Sequence, residues 1–175
     1  LDVASGSKFT EKGTLNQTGG TFVVKSGGTY EAQHISLAAG TKLDVQGASK
    51  VNILGVADTA FSMSAGEIAI ATDAVVSDSR ALTLDGNLSI TGAGTYKQLG
   101  SLTISDGTTL TLSGKVTLTQ LDNNGVITLA NSLSSLTLVG FSDQTNINGR
   151  TYEIGTVTDG ANKNWNELLG VTSTK

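Results

Sequence analysis

Acidic residues at matching offsets are the first in this chain that could do chemistry. Asp85 and Asp106 lie 21 residues apart, and each precedes a glycine. If residues so spaced stack on one another, the two carboxylates come to about 5 Å apart. Such a pair can hold a cation or divide the work of acid and base. Turn chemistry alone also accounts for it, because Asp-Gly favours a β-turn and two equivalent turns need no ligand. Asp2 and Asp44 share a second offset with Val23 between them, which would set them two layers, about 10 Å, apart. No arginine adjoins either pair. His34 is the only histidine. A lone imidazole cannot build a His-rich metal site, and no nucleophile stands beside it. Glu31 is three residues away, and the expected place for His34 is the surface or a turn edge. A Gly-x-Ser-x-Gly elbow is missing. Gly19-Gly20 and Gly27-Gly28 lack the Asp of a calcium-binding nonapeptide. The sequence assigns no catalytic, cofactor-binding or metal residue.

Two further sets could bind a partner. Thr103, Thr109, Thr111, Thr117 and Thr119 suggest a regular hydroxyl face that could match glycan or ice, although Thr also suits any solvated strand. Tyr30, Tyr96 and Trp165 could stack on sugars. Tyr30 shares an offset with Phe9 and Val51, which makes it a core residue. Tyr96 is left open, and a packed cap explains Trp165 better than a ligand does.

The elements that must position these residues follow from composition and period. The 175 residues contain 22 Gly, no Pro and no Cys, and carry a net charge of −4. Zero Cys excludes disulfides and thiolate chemistry. No apolar run is long enough for a transmembrane helix. An acidic balance with only Arg80 and Arg150 as arginines argues against nucleic acid. Gly, Ser and Thr together supply 65 residues, and the apolar residues fall in short alternating runs, so the chain reads as all-β.

A repeat organises these runs. Leu1, Val3 and Phe9 are matched by Phe22, Val24 and Tyr30, then by Leu43, Val45 and Val51, each step being 21 residues. Phe61/Met63, Leu82/Leu84 and Leu102/Ile104 continue the register. So do Ile68/Ile70, Leu88/Ile90 and Leu110/Leu112, and a third series of Val75, Tyr96 and Val116/Leu118. An antiparallel sandwich would not require like residues at a fixed distance; a parallel solenoid would, because each coil lies about 4.8 Å over the last. The expectation is a parallel β-helix of about seven coils over residues 1–140, with three short strands and three turns per coil. Residues 141–175 depart from the repeat and read as a closing cap, with a strand at 151–155 and a short helix at 164–170 capped by Asn164 and Glu167. Leu1-Asp-Val3 is already in register, so the array is expected to extend further.

Asp85-Gly-Asn-Leu-Ser-Ile-Thr-Gly-Ala-Gly-Thr-Tyr96 followed by Leu102-Thr-Ile-Ser-Asp-Gly-Thr-Thr-Leu-Thr-Leu-Ser-Gly114 resembles the passenger-associated repeat of bacterial autotransporters. Tyr152-Glu-Ile-Gly with Trp165 looks like the segment that closes such arrays. The resemblance implies a right-handed parallel β-helix, secreted through the outer membrane and displayed on the cell surface of a Gram-negative bacterium. The absence of Cys suits a chain that crosses that membrane unfolded, and the absence of Pro suits unbroken ladders. The function expected is structural: a surface-exposed passenger or adhesin segment without catalysis or cofactor. It would be tethered through a larger parent protein rather than spanning the membrane itself, with surface glycans, proteins or its own copies as partners and no nucleic acid. The alternative is a carbohydrate-binding or carbohydrate-cleaving β-helix. The Asp-Asp and Gly-His-Gly elements of pectin-degrading β-helix enzymes are missing.

Overall fold

The computed structural model describes residues 2–57, 59–130, 135–138 and 158–159. Apart from Thr158–Asp159, the expected closing segment lies outside them, and with it Tyr152, Trp165 and the helix expected at 164–170. The described elements are strands only: β1 (Asp2–Val3), β2 (Lys8–Gln17), β3 (Thr21–Val24), β4 (Thr29–Leu37), β5 (Lys42–Val45), β6 (Lys50–Ile53), β7 (Ala60–Met63), β8 (Gly66–Ile70), β9 (Val75–Asp78), β10 (Ala81–Leu84), β11 (Leu88–Thr91), β12 (Thr95–Ile104), β13 (Thr109–Leu112), β14 (Lys115–Asn123), β15 (Val126–Leu129), β16 (Ser135–Leu138) and β17 (Thr158–Asp159).

Every strand pairing among them is parallel, so the chain is a β-solenoid and not a sandwich. It makes about 6 turns, where the repeat count gives about seven. One sheet runs β1-β3-β5-β8-β11-β13-β15-β17, and a second runs β16-β14-β12-β9-β6-β4-β2 with β10 and β7 branching from β12. The long strands turn a corner within themselves. β12 pairs β9 through Thr95–Gln98 and β10 through Leu102–Ile104, and its register against β14 shifts between Gln98 and Ser101. The second sheet therefore bends into two faces, and a coil has three sides.

Alternation decides which residues enter the core. Val3 lies beside Val24, Val24 beside Val45 and Val45 beside Ile70. Phe9, Tyr30, Val51, Val76, Tyr96, Val116 and Leu136 form another ladder, buried throughout except at Phe9. Two registers differ from expectation. Ile68 pairs with Ile90 and not Leu88, and Tyr96 pairs with Val76 and not Val75. A slip of two residues keeps every side chain on its own face, so alternation cannot detect the first error; the paired valines hide the second.

The turns repeat as well. Gly6, Gly27 and Ala48, spaced 21 apart, all take the left-handed conformation with φ of 69, 75 and 55°. Beside them Ser5 Oγ donates to the Ser26 carbonyl and Ser26 Oγ to the Gly47 carbonyl, both at 2.6 Å, stitching these three turns together.

Candidate functional site

The described core holds one polar cluster. In β9 the alternation that turns Val76 inward also turns Asp78 inward, and Arg80 follows at the corner. Asp78 is 0% exposed and Arg80 1%. Arg80 Nε donates to both Asp78 oxygens at 2.9 and 3.1 Å, Nη2 donates to Oδ2 at 2.5 Å, and Nη1 donates to the Ile35 carbonyl at 2.7 Å. The Tyr96 hydroxyl lies 2.8 Å from Gln98 Oε1 and 3.1 Å from Asp78 Oδ2, two acceptors for its one proton. Gln98 Nε2 donates to the Arg80 carbonyl at 2.7 Å. Glycines make room for this corner. A Cβ on Gly55 would stand 3.2 Å from Arg80 Cα, and one on Gly100 would stand 2.1 Å from the Arg80 carbonyl oxygen. The guanidinium lies 4.8 Å above the Phe61 ring, and the His34 ring stacks on Phe61 with centroids 4.5 Å apart.

Burial and neighbouring charge shift two titrating groups of this corner. Burial, aided by the Arg80 charge, holds His34 below the ordinary histidine range, against the opposing pull of Asp78. Burial, reinforced by the Asp78 charge, raises Tyr96 well above the usual phenol range. Tyr30 is raised likewise, by burial first and then by its 2.7 Å hydrogen bond to Glu11. The Asp78–Arg80 cluster is sealed and internally bonded, which suits it to fixing the corner rather than to meeting a substrate. One buried polar atom among the described residues, His34 Nδ1, has no hydrogen-bond partner.

The sequence candidates fall differently. Asp85 does not stack on Asp106: Leu84 pairs with Ile104, which brings Asp85 beside Ser105, whose Oγ donates to it at 2.8 Å. Asp2 and Asp44 do flank Val23 in adjacent strands, and each is engaged, Asp2 by Lys25 at 3.1 Å and Asp44 by Gln46 at 3.0 Å. His34 is 8% exposed rather than a surface or turn-edge residue, because it sits in the corner under Phe61. Tyr30 is core as expected. Tyr96 is core too and cannot stack on a sugar. The threonines do not share a face. Thr109 and Thr111 stand on the first sheet and Thr117 on the second, Thr103 lies past the β12 corner, and Thr119 Oγ1 turns to the Leu99 carbonyl at 2.9 Å. Among the described residues, no group of three His, Cys, Asp or Glu could hold a metal ion. An open groove of about 630 Å³ is lined by Lys42, Glu67 and Asn87, among others. Its charged groups and one amide oxygen are already matched: Lys42 to Glu67 at 3.2 Å, Glu67 to Thr91 at 2.8 Å and Asn87 Oδ1 to the Thr109 amide at 2.8 Å.

The face built by β2, β4, β6, β9, β12 and β14 carries two columns of outward residues. One runs Lys8, Thr29, Lys50, Val75, Thr95, Lys115; the other runs Thr10, Glu31, Asn52, Ser77, Lys97, Thr117. The sequence reading missed both this face and the Asp78–Arg80 cluster. Lysines in the outward phase of four of this face's six strands, and an Asp in the inward phase after Val76, are the available signals. No family profile, curated protein or solved structure matches this chain.

Proposed function

We propose that the chain is a structural β-helical segment of a surface-exposed bacterial passenger or adhesin, right-handed, without catalysis, acting as a spacer that carries other parts of a larger protein away from the membrane. The observation that carries this reading is how the passenger-like stretch 85–114 maps onto the coil. Tyr96 enters the second sheet, Leu102 and Ile104 line its branch past the corner, and Leu110 and Leu112 return to the first sheet. One copy of the motif thus walks once around the solenoid. Coils that repeat in this way add about 4.8 Å of length each without needing contacts beyond their neighbours. Immunolabelling of intact source cells with antibodies to residues 1–130 tests the reading. Labelling that external protease removes is the expected result; labelling only after permeabilisation overturns it.

A further inference from the structure

The two-column face separates charge in a chain that is acidic overall. Lys8, Lys50, Lys97 and Lys115 project from it, all exposed, against Glu31 as its one outward acid. Glu31 engages Lys8 at 3.6 Å, while Lys50, Lys97 and Lys115 have no ion-pair partner among the described residues. On the first sheet, by contrast, lysines meet outward acids, Asp2 on Lys25 and Glu67 on Lys42, while Asp44 accepts a hydrogen bond from Gln46.

Spacing and neighbours select the partner. Lys50 and Lys97 stand two strands apart in neighbouring columns, about 12 Å between their backbones, and Lys115 lies one strand further. Duplex nucleic acid carries a charge every ~1.7 Å and would stay largely unneutralised here, and these columns hold no arginine and no aromatic to read or stack on bases. Thr29, Asn52, Ser77, Thr95 and Thr117 stand between the lysines and offer hydroxyl and amide groups. Sparse cations set among such groups match a polymer whose hydroxyls are interspersed with carboxylates or sulfates along its length. We infer that this face binds a linear acidic polysaccharide lying across the strands, along the solenoid axis. The inference stands on the two columns and does not require the surface-passenger reading.

Binding of the whole chain to polygalacturonate, neutral dextran and an oligothymidylate tests it. The variant Lys50→Gln/Lys97→Gln/Lys115→Gln is compared with Lys12→Gln/Lys25→Gln/Lys42→Gln, which has the same net charge. Wild type and the second variant should retain polygalacturonate but not dextran, and the first variant should bind it roughly tenfold more weakly, the sum of three modest exposed ion pairs. Melting curves confirm that both variants fold. Equal losses in the two variants, no retention by wild type, or equally tight binding of the oligonucleotide overturns the inference.

Discussion

Arg80 grips both carboxylate oxygens of Asp78, only two residues before it, inside a solenoid core lined mainly by Val, Ile and Leu. Two desolvated charges in an aliphatic tube are tolerable only while each remains bonded. Arg80→Met would leave Asp78 and the Ile35 carbonyl short of donors. It is expected to cost about 3–5 kcal/mol in urea unfolding, with Asp78→Asn similar. Because the two side chains act as one unit, Asp78→Leu/Arg80→Met should lose markedly less than the sum of the singles. Additive losses would show that the pair is not coupled.

Gly100 tests the same corner from the backbone. A Cβ there meets the Arg80 carbonyl oxygen, whereas one on Gly19 meets nothing within 4 Å, and neither residue has positive φ. Gly100→Ala should therefore lower the melting temperature, and Gly19→Ala should leave it unchanged or raise it slightly through a stiffer unfolded chain, by about 0.4–1 kcal/mol. Equal effects would mean that the corner relaxes freely.

His34 makes stability depend on pH on the acid side. Its folded-state affinity for protons is lowered, so below the ordinary value of 6.5 the unfolded chain takes up a proton that the folded chain resists. Stability is full above that pH and falls as pH drops toward the folded value. His34→Phe keeps a ring on Phe61 and removes the orphaned nitrogen. Its melting temperature should vary less than that of wild type between about pH 7 and 5.5. Parallel curves would exclude His34 as the source.

Tyr30 and Tyr96 act at the other extreme. Both phenols are raised, so above the ordinary value of 10.0 the unfolded chain loses protons that the folded chain keeps, and stability declines as pH rises. In an alkaline titration, the tyrosinate absorbance of these two residues should appear together with unfolding. Smooth ionisation with intact circular dichroism would contradict their burial.

The aliphatic ladders were readable because Val3, Val24 and Val45 repeat at one distance and one phase, which parallel stacking requires and little else does. Tyr30 was placed by the same logic. Ile68 was misplaced because a two-residue slip leaves the inward phase unchanged. The Asp85–Asp106 pairing failed by one residue, since the register at Leu84 and Ile104 carries Ser105, not Asp106, to the position beside Asp85. The threonines read as one face because period two tells inside from outside but not which of three sides a strand occupies. Asp78-Ser-Arg80 reads locally as a polar turn. Its burial depends on Ile35, Gly55, Phe61 and Gly100, brought together only by coiling.

That dependence gives one coil an address. Ladders of Val, Ile and Leu are nearly interchangeable, so a growing stack could accept a coil one layer out of place with little loss of apolar contact. The coil bearing Arg80 has no such freedom. Displaced by a layer, its guanidinium would lose the Ile35 carbonyl, and its corner would no longer lie between Gly55 and Gly100. A misthreaded intermediate would hold a stranded charge and come apart before further coils could bury the mistake.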